Sequence, residues 1–283
     1  MKQPLIIRSE RALRGQVWEW RGLGQTMAFI PTMGGLHEGH LSLVRLGGIH
    51  AKKTIASIFV NPAQFAPDED FESYPRDHER DIEMLASAGC DLIYIPDPHS
   101  MYSGRHATSI KVGGVAEGLE TDHRPTFFDG VVLVVTKLLN RVAPDYAVFG
   151  EKDYQQLAII RRLVADLDIP VEIIGGAIAR DEAGLALSSR NQYFDADGLA
   201  IARKLNVIMR ECAANLKMGH DVNVAERRAR KALLAAGFDN IDYISAADAD
   251  TLEVINTGQI NGAARLLLAV HCKGVRLIDN FEI

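Results

Sequence analysis

Short apolar runs alternate with segments of helical spacing through the first two-thirds of the chain. "MAFIP" (27–31) reads as a buried strand, and "HLSLVRLGGIHA" (40–51) follows with a helical pattern. "TIASIFVNP" (54–62) predicts a second strand, closed by Asn61-Pro62. "DHERDIEMLASAG" (77–89) predicts an amphipathic helix ended by Gly89, and "DLIYIPD" (91–97) a third strand. "FFDGVVLVVTKLLNRVAP" (127–144) places Val131, Val134, Val135, Leu138 and Leu139 on one helical side. A strand with its exit loop, "YAVFGEKD" (146–153), a helix (154–168) and a strand, "VEIIGGAIA" (171–179), complete this part. Strands alternating with helices imply an α/β domain with a doubly wound parallel sheet.

After about residue 179 the pattern changes. "DADGLAIARKLNVIMRECAANLKMG" and "DVNVAERRARKALLAAG" each predict a helix, and "IDYISAAD", "ARLLLAVHCKG" and "VRLIDNFEI" predict strands. The expectation is a larger domain over 1–178 and a smaller α+β domain over 179–283.

Composition narrows the classes of function. The 283 residues are 47% hydrophobic and 24% charged, which suits a soluble chain with a sizeable core. A formal net charge of −6 disfavours nucleic acid as a partner, so any anion must be bound by a few local cations. The three cysteines, Cys90, Cys212 and Cys272, have no metal-type spacing and suit a reduced, cytoplasmic setting. The opening "MKQPLIIRSERALRG" lacks the apolar run of a signal peptide, and no stretch has the length of a membrane span.

The chemistry concentrates in "FIPTMGGLHEGHLSLV" (29–44). A strand leading through glycines into a helix start is a natural anion site, because unpaired N–H groups and the helix dipole favour phosphate. Gly34, Gly35 and Gly39 admit close approach, and His37 and His40 flank the first turn as donors. A zincin would need H-E-x-x-H, but position 41 is Leu41. A metal pair would need a third ligand, and none is evident nearby. Turn glycines beside two surface histidines would produce the same spacing.

"IPTMGGLHEGH", "SIFVNPAQF", "YPRD", "FGEKDYQQLAIIRRLVADL", "GLALSSRNQYF" and "RLIDN" occur in collinear order from about residue 5 to 281. Together they resemble the pantothenate synthetase (pantoate–β-alanine ligase) family. That family belongs to the adenylyl-transferring superfamily that includes class I aminoacyl-tRNA synthetases. The resemblance implies a Rossmann-like nucleotidyltransferase fold. It implies ATP contacts from Met33, Gly34, Gly35, Leu36, His37, Glu38, Gly39 and His40, and from Gly150, Glu151, Lys152 and Asp153. Ala179, Leu187, Ser188, Ser189 and Arg190 complete the implied ATP set, carried by a lid-like C-terminal domain. His40, His37, Lys152 and Arg190 are the implied catalytic donors and cations. Gln64, Gln156, Asn61 and Arg124 are the implied pantoate and β-alanine contacts, and Asp81 the implied magnesium contact.

The implied reaction has two steps. Pantoate carboxylate attacks the α-phosphate of ATP, giving pantoyl adenylate and pyrophosphate; the β-alanine amine then attacks the activated acyl carbon, giving pantothenate and AMP. The implied partners are these small molecules, ATP with Mg²⁺, and a second copy of the chain. One departure stands out: in "RPTFFDGV" (124–131), Phe127 occupies a position where the family usually has histidine, with Asp129 beside it. Two other functions fit the histidine motif alone: a nucleotidyltransferase acting on a phosphate monoester, and a non-catalytic binder that kept the fold. "GEKDYQQ" and "FVNPAQF" argue against the transferase.

Overall fold

The computed structural model describes residues 3–67 and 69–283. In chain order the first elements are β1 (Leu5–Ile7), α1 (Glu10–Gly22), β2 (Met27–Thr32), α2 (Glu38–His50), β3 (Lys53–Ile58), α3 (His78–Ser87) and β4 (Leu92–Tyr94). Next come α4 (Pro98–Met101), α5 (Glu120–His123), α6 (Phe127–Val142), β5 (Tyr146–Gly150), α7 (Tyr154–Asp166) and β6 (Glu172–Gly176). The chain ends with α8 (Ala196–Ala202), α9 (Lys204–Lys217), α10 (Val222–Ala236), β7 (Asn240–Asp248), β8 (Ala264–Cys272) and β9 (Val275–Glu282). They divide between two compact units. The first takes the described residues up to Val112, with Arg124–Glu151 and Ile159–Ala177; the second takes Gly113–His123, Lys152–Ala158 and Ile178–Ile283.

The first unit holds a parallel six-stranded sheet in the order β1-β4-β3-β2-β5-β6. Sequence neighbours such as Phe29 and Ile30, Ile55 and Ala56, and Leu92 and Ile93 point to opposite faces, yet all are buried. Both faces are therefore covered, which is why these strands read as continuous apolar runs. Ile30, Ile58, Ile93 and Val148 pack with Leu41 and Val44 of α2 and Leu85 of α3. The strand order reverses between β2 and β5, and the C-terminal ends of strands flanking such a switch point form a crevice.

The second unit is built on an antiparallel sheet, β7-β8-β9, with Ser245 opposite Leu267 and Leu267 opposite Asn280. Lys273 and Gly274, both at positive φ, join β8 to β9 as a tight hairpin. One sheet face packs on the helices through Leu205, Met209, Leu233, Leu266, Leu268 and Val270. The other face is apolar too: Ala247 and Leu267 lie against Leu119, with Val115, Tyr154 and Ala158 beside them. This second face explains why Gly113–His123 and Lys152–Ala158 belong to this unit, so its extent is wider than a single cut after residue 178. Arg276 secures the first of these segments, donating from both terminal nitrogens to Glu120 at 2.6 and 2.8 Å.

Two local features differ from the pattern in the sequence. The helix expected over 195–219 is two helices, α8 and α9, meeting at Arg203, whose guanidinium donates to Asp181 at 2.8 Å. β1 and α1 precede the first expected strand; β1 is a three-residue edge with Leu5 and Ile6 exposed, so it carries little apolar signal. All three cysteines are free and buried, and burial pushes the Cys90 and Cys212 thiols up to about 12. Among the described residues, no helix is long and apolar enough to cross a membrane.

Candidate active site

The loop leaving β2 at the switch point is Met33–His37, and α2 begins at Glu38. His37 caps the helix: its Nδ1 accepts the Gly39 N–H at 3.2 Å, and the His40 Nδ1 accepts the His37 N–H at 3.3 Å. The two rings lie 4.1 Å apart. A nitrogen that accepts a hydrogen bond carries no proton, so this arrangement puts the ring proton of each histidine on Nε2. Each imidazole is thus oriented by the backbone and presents an N–H donor. An imidazolium has no acceptor nitrogen, so protonation would break the cap.

Backbone amides of this loop have acceptors within the protein. The Gly35 and Leu36 N–H groups donate to Asp81, at 2.9 Å to Oδ2 and 2.8 Å to Oδ1. Asp81 sits in the first turn of α3 and is only 1% exposed. Gly34 (φ +90°) passes so close that a Cβ there would lie 2.9 Å from Asp81 Oδ2. Asp81 anchors the loop, each of its oxygens accepting one amide N–H. The loop amides at 35, 36, 37 and 39 have acceptors within the protein. Among the described residues no group of three or more His, Cys, Asp or Glu could hold a metal ion.

A second cluster follows β3. Asn61 is 1% exposed and wholly engaged: Nδ2 donates to Gln64 Oε1 at 3.0 Å and to the Gly130 carbonyl at 3.1 Å, while Oδ1 accepts from Tyr102 Oη and Ala63 N. It holds the Pro62–Gln64 turn through Ala63 N and Gln64 Oε1. Gln64 is half-buried, and its Nε2 donates to Met33 Sδ at 2.9 Å, which brings the β2 and β3 exits together. Arg124 donates to both Glu69 oxygens, at 2.5 and 2.6 Å, and to the Gln64 carbonyl at 3.3 Å. Its guanidinium lies 3.7 Å from the Phe127 ring centre. Phe127, the residue that departs from the family pattern, is thus an apolar platform for Arg124 at the start of α6. Gly150 ends β5 in register with Gly176.

In the second unit, Lys152 is half-buried, its Nζ 3.9 Å from Asp153. Gln156 is also half-buried, whereas Gln155 is buried and spans Glu120 N, the Val115 carbonyl and the Gly118 carbonyl. Ala179 and Leu187 pair through Leu187 N to the Ala179 carbonyl at 2.9 Å, closing a hairpin-like loop. Ser188 caps the short 3-10 helix Ser189–Tyr193 by accepting the Arg190 N–H at 3.2 Å. Ser189 and Arg190 are half-buried. Asp279 and Asn280 lie in the "RLIDN" segment, to which sequence reasoning assigned no role; they are two adjacent polar residues buried in β9. That break in strand pattern was the available signal.

The chain matches the family described as pantoate-beta-alanine ligase over residues 5–282. The pantothenate synthetase of Mesorhizobium japonicum is 50% identical over 283 residues, covering 100% of this chain and 99% of that one. The enzyme of Caulobacter vibrioides is 49% identical, with both chains covered in full. Among solved structures, pantothenate synthetase from Thermus thermophilus superposes with a TM-score of 0.91 at 38% identity, with 98% of each chain covered. Pantoate-beta-alanine ligase from Francisella tularensis, solved with beta-gamma ATP and beta-alanine, gives 0.80 at 32% identity, covering 98% of this chain and 97% of that one. The capped histidine pair at the switch point, the collinear motifs and these similarities place the chain in the pantoate–β-alanine ligase (pantothenate synthetase) family.

Proposed function

We infer that this chain joins (R)-pantoate to β-alanine using ATP, by way of pantoyl adenylate, and releases pyrophosphate and AMP. The observation that carries the assignment of roles is the histidine pair: each Nδ1 is fixed by a backbone N–H, so each Nε2–H is a preset donor at the switch point. A carboxylate needs no activation as a nucleophile. The barrier lies in charge growing on the departing pyrophosphate, which fixed donors and cations stabilise without reorganising.

In this reading His40 and His37 donate to phosphate oxygens, and Lys152 and Arg190 add positive charge. Gln64, Gln156 and Arg124 bind pantoate and β-alanine, with Asn61 holding Gln64 in place. The remaining residues implied in ATP binding flank these groups in sequence. Magnesium bound to the triphosphate would neutralise part of its charge. In the second step the β-alanine amine attacks the acyl carbon, AMP leaves as its phosphate oxygen takes the bonding pair, and the ammonium loses a proton to solvent.

Lys152→Ala and Arg190→Ala test this division of labour. Pyrophosphate has gone before the amine attacks, so both variants should slow pyrophosphate release far more than they slow pantothenate formation from preformed pantoyl adenylate. Equal damage to both steps would overturn the phosphate assignment. The chain is further proposed to act as a cytoplasmic homodimer; a monomeric mass by light scattering at assay concentration would contradict the dimer.

A further inference from the structure

β9 carries two adjacent polar side chains that are buried, Asp279 and Asn280. Asp279 and Asn280 are 3% and 2% exposed, and burying two polar groups side by side is costly unless each is well bonded. Their partners are specific. Asn280 Nδ2 donates to the Lys152 carbonyl at 3.0 Å. Asn280 Oδ1 accepts from Arg265 Nη1 at 3.2 Å, and the Arg265 guanidinium stacks 4.4 Å from the Tyr154 ring centre. Tyr154 in turn donates from Oη to the Ala249 carbonyl at 2.9 Å. The backbone of residues 152–154 is thereby pinned to the β8-β9 hairpin.

Asp279 faces the other way. Arg180 donates to its two oxygens at 2.6 and 2.9 Å and, from Nη1, to the Gly184 carbonyl at 3.0 Å. Arg180 pairs with Ala186 across the loop that leads from Ala179 to Arg190. The Asn280 N–H donates to Asp279 Oδ1 at 2.8 Å, which locks the two residues to each other. One residue therefore holds the segment bearing Lys152, and its neighbour holds the loop bearing Ser188, Ser189 and Arg190.

We propose that Asp279 and Asn280 are positioning residues for adenylate formation, setting Lys152 and the Ser188–Arg190 loop in fixed register within the second unit. The inference rests on the reading that Lys152 and Arg190 act on the ATP phosphates. Asn280 acts through Lys152, and Asp279 acts through Arg180.

The decisive experiment is a double-mutant cycle on Asn280 and Lys152 in the full-length protein. It compares wild type, Asn280→Ala, Lys152→Ala and the double variant by single-turnover pyrophosphate release from ATP and pantoate. Pantothenate formation from preformed adenylate and thermal stability are measured beside it. Asn280→Ala should slow the first step about tenfold, the order expected for one buried hydrogen bond, and leave the second nearly unchanged. In the Lys152→Ala background the Asn280 effect should vanish, because the carbonyl it bonds remains but the ammonium it positions is gone. Asn280→Asp, which keeps an acceptor for Arg265 but offers no donor to the Lys152 carbonyl, should behave like Asn280→Ala. Asn280→Ser serves the cycle if Asn280→Ala does not fold. Losses that multiply across the cycle, or a first step within about twofold of wild type while Lys152→Ala is impaired, would overturn the proposal. A Lys152→Ala variant with an unimpaired first step would instead remove the reading on which it rests.

Discussion

Asp81 Oδ1 accepts the Leu36 N–H at 2.8 Å, joining the first turn of α3 to the loop that precedes the capped histidines. Its other oxygen holds Gly35. A buried carboxylate with two amide donors fixes the backbone of this loop, and the loop fixes where His37 begins α2. Asp81→Asn replaces one acceptor with a donor that faces an amide. The expected cost is about 1.5–3 kcal/mol of stability, with slower adenylate formation. Thermal unfolding and pyrophosphate release measured across a magnesium titration check this. The anchoring role predicts no rescue by added magnesium; full rescue would make Asp81 a metal ligand.

His40 has two separable duties. Its Nδ1 accepts the His37 N–H, and its Nε2–H is the proposed phosphate donor. His40→Ala removes both, whereas His40→Asn keeps an acceptor for the cap. Both variants should slow adenylate formation by ~10²-fold, the usual effect of removing one transition-state donor. Only His40→Ala should lose measurable stability. A near-normal rate in His40→Asn would mean that His40 is a cap and nothing more.

The parallel sheet was legible because β2 to β5 are buried on both faces and read as unbroken apolar runs between turn residues. The histidine loop was legible because glycines at positive φ, Gly34 and Gly35, stand before a helical pattern. What the chain hid was long-range use of polar groups. Asp81 resembles any acid on the helix face "DHERDIE", and its partners lie 45 and 46 residues away. Asn61 resembles a polar turn, yet it bonds to Gly130, 69 residues on. The extent of the second unit depends on Glu120 and Arg276, 156 residues apart. No local pattern encodes such pairings.

Gly130 lets α6 abut the turn that carries Gln64. A Cβ at this position would lie 2.1 Å from the Ala63 carbonyl oxygen and 2.7 Å from Gln64 N. Gly130→Ala must therefore push the turn away, costing about 1–3 kcal/mol by overpacking. Because Gln64 rides on that turn, KM for pantoate should rise more than KM for ATP. Equal changes in the two constants would show that Gln64 is not a pantoate contact.

Glu226 makes stability depend on pH. It is half-buried and accepts the Ala246 N–H at 2.8 Å. Burial pushes its carboxyl up from 4.5 to about 7, outweighing the Ala246 amide and the Arg230 charge, which pull the other way. The folded protein then binds a proton more tightly than the unfolded chain, so this group's contribution falls as pH rises from the unfolded value through the folded one. Glu226→Gln keeps an acceptor and cannot ionise. Its gain in Tm over wild type should be larger at about pH 8 than at about pH 5. A gain independent of pH would contradict the assignment.

The most direct measurement of the central claim is product release with ATP and pantoate, with and without β-alanine. Without the amine, the account predicts about one pyrophosphate per active site, as expected when the adenylate is held and protected from water. With β-alanine it predicts continuous turnover, with AMP, pyrophosphate and pantothenate formed in equal amounts. Steady AMP release that ignores β-alanine, or ATP binding with no pyrophosphate formed at all, would contradict it.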